Sequence, residues 1–418
     1  MMRVVQKYGG TSVATPERLR AVADRVAATR AAGAETIVVV SAMGDTTDEL
    51  LALATRVTGR ADVARVHPRE TDMLLSAGER IAMALLAMAL RERGVPALSL
   101  TGSQAAIITD ERHTAARIVE VRADRVRAAL AEGAVPIVAG FQGVSRRREI
   151  TTLGRGGSDT TAAALAVALA AQRCEIYTDV DGVYSADPRR VPDAVLRPRL
   201  RYDEAVELAA AGAVVVHPRA VEIAARGGVP VWVGSSFGPP IWPPSGGTWI
   251  DDGKTIPMEE FVLTGLASTR AYARLRLAGL PLGMDLLAEL LGRLADAGVS
   301  VDMLWEAPDG ADRRQLHLTV REDDLSAART ALAPWGEPEV LAGLARLAMV
   351  GSGMHDRPGV YAQAYRALAA AEVPVHAVST SAISITMLVP ADREDAALRS
   401  LHSAFADALR REEVRAVS

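Results

Sequence analysis

Short runs rich in Val and Ile recur along the first 235 residues, each followed by apolar residues at helical spacing, and this alternation most restricts the fold. The strand-like runs are 3–8, 36–41, 96–100, 135–140, 174–178 and 229–233. Helical patterns lie between them at 16–32, 46–57, 70–92, 122–132, 157–172 and 217–226, the first opening on Pro16, a good first helical residue. Strands alternating with helices predict an α/β unit whose largely parallel sheet is covered on both faces.

The alternation stops at FGPPIWPPSGGTWIDDGKTIP, residues 237–257, which reads as a domain boundary. Beyond it, the segment from Leu294 to Asp302 (LADAGVSVD) is echoed from Leu368 to His376 (LAAAEVPVH), each a helix end running into a strand. Two α+β units follow, at 260–335 and 343–412, after a catalytic-type unit at 1–236 and a linker at 237–259. Met258, just past the linker, is a candidate internal start.

The net charge is −4 with both signs interspersed, so no electrostatic footprint for nucleic acid or an anionic membrane is expected. No apolar stretch of membrane-spanning length free of charges or prolines stands out, and no secretory leader pattern opens the chain. Cys174 is the single cysteine, which suits a reducing cytoplasm; it reads as a small buried hydrophobe before it reads as a nucleophile. Of 47 basic residues only Lys7 and Lys254 are lysine. A lysine kept against that bias inside a glycine loop suggests a task for a compact ammonium that a guanidinium fork does not copy.

Five loops carry candidate chemistry. Lys7-Tyr8-Gly9-Gly10-Thr11-Ser12 follows a strand and precedes a helix; it suits an anion, with glycines admitting phosphate oxygens to backbone N–H groups, and equally an ordinary tight turn. It matches neither the Walker nor the dinucleotide fingerprint. Thr151 to Thr161 (TTLGRGGSDTT) presents Arg155 between glycines, a setting for bidentate capture of a carboxylate or phosphate, while Ser158 or Asp159 also suits a helix cap. Tyr177 to Arg189 (YTDVDGVYSADPR) leaves a strand end; its carboxylates lack the remaining positions of a calcium loop, so no metal site is read there and nucleotide contact is expected. Ser41 to Asp48 (SAMGDTTD) again joins strand to helix, and Leu74 to Arg80 (LLSAGER) places Gly78 and Glu79 in a helix, as a packing glycine and a solvated acid in the plainer reading.

Together QKYGGTSV, IVVVSAMGDTTDELL, MLLSAGER, LTGSQAA, IVAGFQG, ITTLGRGGSDTTA, CEIYTDVDGVYSADPR, ELAAAGAVVVHPRAVEIA and VPVWVGSSF resemble, in order, the aspartate kinase family. AGVSVDML and GSGMHDRPGV with STSAISITMLV resemble its paired ACT domains. The resemblance implies a three-layer α/β/α amino-acid-kinase domain followed by two ferredoxin-like ACT domains. It implies phosphorylation of the β-carboxylate of L-aspartate by ATP with Mg2+, the entry to lysine, threonine and methionine synthesis. By it, Lys7, Gly9 and Gly10 fall on the transferring phosphates, Ser41, Thr47, Glu79 and Arg155 on aspartate, and Asp159 on the organisation of the transfer site. Thr178, Asp179, Tyr184 and Arg189 fall on the nucleotide loop, and Asp302 and Ser381 on an amino-acid effector site. A homodimer or larger assembly through ACT pairing is the expected state.

Two departures stand out. Where the family commonly has a lysine on ATP, this chain has Val214, so either an arginine substitutes or nucleotide binding is weaker. In the effector half the usual Asp-x-Pro-Gly turn reads Gly279-Leu280-Pro281-Leu282-Gly283-Met284, the usual Gln-Asn reads Trp305-Glu306, and the usual Ser-Thr-Ser-Glu ends in Ala382; Asp302 and the Arg357-Pro358-Gly359 turn remain. Polar groups lost from an amino-acid pocket leave ligand groups unpaired, so weak or absent lysine/threonine feedback is expected. A kinase for another amino acid and a non-catalytic ACT-containing subunit are the alternative readings.

Overall fold

The computed structural model describes residues 2–254, 262–354 and 357–410. Met258 and the ends of the expected segments at 259–260 and 411–412 lie outside them.

An eight-stranded sheet forms the first unit, in the order Arg199–Arg201, Thr248–Asp251, Val231–Ser235, Arg173–Thr178, Arg3–Tyr8, Glu35–Val40, Val135–Ala139, Ala97–Leu100. Neighbours run parallel except Val231–Ser235 against Thr248–Asp251, which pair antiparallel. Along Glu35–Val40 successive side chains alternate between faces, as a pleat requires. Ile37 and Val39 join the core formed with helix Gly157–Ala168, while Val38 and Val40 join the core with helices Pro16–Ala31 and Pro68–Arg91. Both faces are buried, so the strands read as continuous apolar runs. Strand Arg3–Tyr8 lies between Glu35–Val40, reached first, and Arg173–Thr178, reached much later. The strand order reverses there, which opens a crevice beyond the C-terminal end of Arg3–Tyr8.

Two features depart from the sequence reading. A second sheet, of strands Ile118–Val121, Ile107–Thr109, Gln142–Ser145 and Ile150–Thr152, had no periodic signal, its strands being three or four residues long. Helix Tyr202–Ala211 was also missed. Helix Pro68–Arg91 has the length and mean hydropathy to cross a membrane, but Glu79 and Arg80 interrupt its apolar run. Here it buries Ala82, Met83, Leu86 and Leu90 against helix Pro16–Ala31 and the sheet, with Asp72 and Glu79 also buried.

Beyond the linker a six-stranded antiparallel sheet runs in the order Leu304–Pro308, Arg313–Arg321, Val262–Pro281, Glu339–Ser352, Ser384–Pro390, Ala377–Thr380. Val262–Pro281 and Glu339–Ser352 are long and pair from Val262↔Ser352 to Arg276↔Glu339, so the two helix-bearing units share one sheet. The internal echo holds in packing: Leu294 and Val299 are buried in one core, Leu368 and Val373 in the other. The second core also takes in Ala186 and Val191 from the excursion that follows strand Arg173–Thr178.

Candidate active site

At the crevice, the Lys7 ammonium meets Asp159 Oδ1 at 2.6 Å, with both residues more than nine-tenths buried. Lys7 comes from the central strand and Asp159 from the first turn of helix Gly157–Ala168. That helix begins on Gly156, in the left-handed region at φ 68°, with no side-chain cap, so neither Ser158 nor Asp159 acts as the cap. Asp159 Oδ2 instead accepts the backbone N–H of His217 at 3.3 Å, and Ser158 Oγ pairs with Ser41 Oγ at 2.8 Å.

The glycine loop is a short turn, Gly10–Val13, and helix Pro16–Ala31 starts later on a Thr15 cap. The helix whose first turn reaches Lys7 is therefore Gly157–Ala168, not the next one in sequence. A Cβ on Gly9 would lie 3.5 Å from Lys7 Nζ, and one on Gly10 would press on the Ala42 and Gly44 carbonyls at 3.0 and 3.1 Å. Gly10 thus lets two loops close, with the Gly44 N–H donating back to the Gly10 carbonyl at 3.0 Å.

Glu79 is not solvated. Its carboxylate is buried, accepting the Phe141 N–H at 2.7 Å and, at 3.4 Å, Gln142 Nε2. Burial pushes its pKa from the ordinary 4.5 up to about 8, against the opposing pull of the Phe141 and Gln142 donors and the Lys7 charge. Gly78 is the expected packing glycine, its missing Cβ leaving room for Ala42 and Thr46. Phe141 then joins two parts of the site, since its carbonyl accepts Leu153 N–H at 2.9 Å at the start of the loop that bears Arg155. Arg155 is exposed between Gly154 and Gly156, both at positive φ, and makes no ion pair among the described residues. Thr47 is half-buried in the first turn of helix Thr46–Thr58.

The nucleotide-loop candidates spread further. Thr178 ends the strand beside Arg3–Tyr8, whose Gly9 N–H donates to the Tyr177 carbonyl at 3.3 Å. Its hydroxyl donates to Asp179 at 3.1 Å. Tyr184 is half-buried and bridges to Leu196, while Arg189 points to solvent, paired with Asp187 at 2.8 Å. Cys174 is fully buried and its thiol pKa is raised by that burial, which removes it as a nucleophile.

Val214 is exposed, in the bend between helices Tyr202–Ala211 and Pro218–Gly227. The effector candidates do not meet within one chain. Asp302 precedes one edge strand and lies 3.4 Å from Arg346, whereas Ser381 follows the opposite edge strand and bonds Ser384 Oγ at 2.9 Å. Trp305 is stacked on His317 with centroids 5.0 Å apart, and Glu306 is engaged by Arg314.

Sequence reasoning did not single out Asp72, Phe141, His217 or Arg219, although three lie in quoted motifs and Asp72 directly precedes another. Asp72 is fully buried and accepts from the Thr114 N–H at 3.0 Å and the Thr152 hydroxyl at 2.5 Å, with His113 Nδ1 at 2.6 Å. Nothing in local sequence marks a residue whose task is to hold two distant loops.

Residues 2–235 match the amino acid kinase family and residues 347–405 the ACT domain. The aspartokinase of Corynebacterium efficiens is 45% identical over 415 residues, covering 97% of this chain and 96% of its own. The chain belongs to the amino acid kinase family, among the aspartokinases. The Thermus thermophilus aspartokinase is 43% identical over 413 residues, with 97% and 99% covered. E. coli aspartokinase III in complex with aspartate and ADP superposes with a TM-score of 0.80 at 30% identity, covering 96% of this chain and 99% of that one. The same enzyme in complex with lysine and aspartate, in its T-state, gives 0.71.

Proposed function

We propose that the chain transfers the γ-phosphoryl group of ATP to the β-carboxylate of L-aspartate, giving 4-phospho-L-aspartate and ADP. The observation that carries this reading is the buried Lys7–Asp159 pair at the reversal of strand order, with Glu79 near enough to feel the Lys7 charge, in a chain of aspartokinase kinship. A substrate carboxylate oxygen attacks the γ-phosphorus, the bond to the β–γ bridging oxygen breaks, and ADP leaves with that electron pair. Such transfer rests on positioning and on neutralising oxygen charge more than on covalent help.

Each residue has a part in that scheme. Lys7, fixed by Asp159, is directed at the transferring oxygens, and Gly9 and Gly10 leave the space for them. Arg155 receives a substrate carboxylate. Glu79 is the one carboxylate among the substrate candidates and takes the ammonium, while Ser41 and Thr47 supply hydroxyls. Thr178, Asp179, Tyr184 and Arg189 line the path of the nucleotide. Among the described residues no group of three His, Cys, Asp or Glu is arranged for a metal. Mg2+ would be carried in largely by the phosphate oxygens of ATP, the usual manner of its binding, and would supply further neutralisation there, while Lys7 supplies the protein's own positive charge.

At the ACT units we propose weak feedback. Trp305 and Glu306 carry no side-chain amide where the usual Gln-Asn would, and both are already engaged, by His317 and Arg314. The exposed edge strands at Leu304 and Val378 support pairing with a second copy. A cytoplasmic setting agrees with the unpaired, buried Cys174. Purified protein assayed for ADP release and hydroxamate-trapped acyl phosphate, against a panel of amino acids, tests the whole reading. Turnover is expected with aspartate and to persist with millimolar lysine plus threonine. No aspartate-dependent turnover, or faster turnover with another amino acid, overturns the substrate; abolition by lysine plus threonine overturns the feedback proposal.

A further inference from the structure

Arg219 sits in the second position of helix Pro218–Gly227, in the half-buried layer behind the crevice. Its guanidinium donates through Nη1 to the Leu153 carbonyl at 2.9 Å and through Nη2 to the Ala116 carbonyl at 3.1 Å. No carboxylate pairs with it among the described residues, and burial and the Arg117 charge both work against its ionisation. A guanidinium kept there, spanning two carbonyls of different segments, ties those segments together.

What it ties is the loop that presents Arg155. Leu153 opens that loop and Gly157 closes it, with the Gly157 N–H donating to the Gly154 carbonyl at 3.0 Å. The Ala116 segment packs under it: Ala116 N–H donates to the Thr152 carbonyl at 2.9 Å, and a Cβ on Gly154 would meet the Thr114 carbonyl at 3.2 Å. On the other side the His217 ring lies against Gly156, where a Cβ would come within 2.2 Å of it. The start of one helix thus grips the loop at Leu153, Gly156 and, through the His217 N–H, Asp159. Arg155 itself has no partner among the described residues to fix it, so its direction is set by the loop alone.

We infer that Arg219 is a positioning residue that aims Arg155 at the aspartate carboxylate and so sets aspartate affinity, with little effect on ATP. The inference rests on the assignment of Arg155 to aspartate. A bidentate clamp tolerates little misalignment, and displacement of such a group by about 1 Å costs up to about 10²-fold. A lysine at 219 keeps the charge but has one compact ammonium for two carbonyls, and so weakens the brace without removing local positive potential.

The test is steady-state kinetics of Arg219→Met, Arg219→Lys and Arg155→Ala, each with its melting temperature. Arg219→Met is expected to raise the KM for aspartate about 10-fold or more and Arg219→Lys about 3-fold, with the KM for ATP within about 2-fold of wild type in both. Equal rises in both KM values, a fall in kcat alone, or a lowered melting temperature with unchanged kinetics makes Arg219 a general structural brace and overturns the inference. A wild-type KM in Arg219→Lys beside a raised one in Arg219→Met makes it a source of charge only, which overturns it too. If Arg219→Met does not fold, Arg219→Lys decides alone by the split between the two substrates. Unchanged aspartate KM in Arg155→Ala, by contrast, removes the assignment of Arg155 and not merely the role of its neighbour.

Discussion

Replacing Glu79 by Gln separates the cost of burying a carboxylate from the use of its charge. The folded-state pKa of Glu79 is raised to about 8 from an ordinary 4.5. An acid whose pKa is raised on folding keeps its proton in the folded chain while the unfolded chain loses it. Its contribution to stability is therefore fully present below pH 4.5 and is lost as pH rises through about 8. With about 1.4 kcal/mol per pKa unit, the loss is roughly 2 kcal/mol at pH 6 and approaches about 5 kcal/mol above pH 9. Glutamine does not titrate, so between pH 6 and 9 the wild type should lose about 2–3 kcal/mol relative to Glu79→Gln. Denaturant unfolding of the substrate-free protein at the two pH values measures this directly. In the assay the order reverses: an aspartate ammonium that loses a charged partner should raise the KM by roughly 30- to 100-fold. Near pH 7, aspartate binding to the wild type should also release close to one proton, visible by calorimetry in buffers of different ionisation enthalpy. Parallel stability curves for the two proteins from pH 6 to 9 would show that Glu79 is already ionised in the free enzyme, and the argument would fail.

Lys7→Ala should lower kcat by about 10²–10³, the usual effect of deleting one preorganised electrostatic donor; turnover within threefold of wild type refutes the role given to Lys7. Val214→Lys, at an exposed position, should lower the KM for ATP about five-fold without changing the melting temperature, and an unchanged KM would mean that a neighbouring arginine already supplies the charge. Gly156→Ala combines φ 68° with a Cβ 2.2 Å from the His217 ring, so it should cost about 2 kcal/mol or more in unfolding free energy and raise the aspartate KM; a well-folded variant with normal kinetics would refute the close packing of that loop.

The parallel sheet was legible because its strands are buried on both faces and spell uninterrupted Val and Ile runs, as at Ile37 to Val40. The second sheet was not, since Ile107–Thr109 and Ile150–Thr152 are too short to show a period. Lys7, Arg155 and Asp159 stand out as charged residues in glycine-rich company. Glu79 stood out only by resemblance, since a charged side chain within a helix usually faces water; the tertiary approach of Phe141 explains its burial. Arg219 and Asp72 serve partners more than 60 and about 40 to 80 residues away, and no local pattern encodes such distance. The shared regulatory sheet escaped for a related reason: strand Val262–Pro281 pairs with segments on both sides of the repeat boundary.

The excursion after strand Arg173–Thr178 bears on how such an enzyme can be altered. Ala186 and Val191 complete the core of the second regulatory unit, and the buried Arg197 donates to the carbonyls of Leu263, Thr264 and Leu409. Arg190 reaches across to Glu394 and Asp395. Cutting the chain in its Pro- and Gly-rich segment would strip apolar surface and several hydrogen-bond acceptors from the very stretch expected to lie along ATP. Deleting the ACT half would thus unmake part of the kinase half as well, so the response of such a chain to effectors is open to single-residue change within an intact chain and closed to truncation.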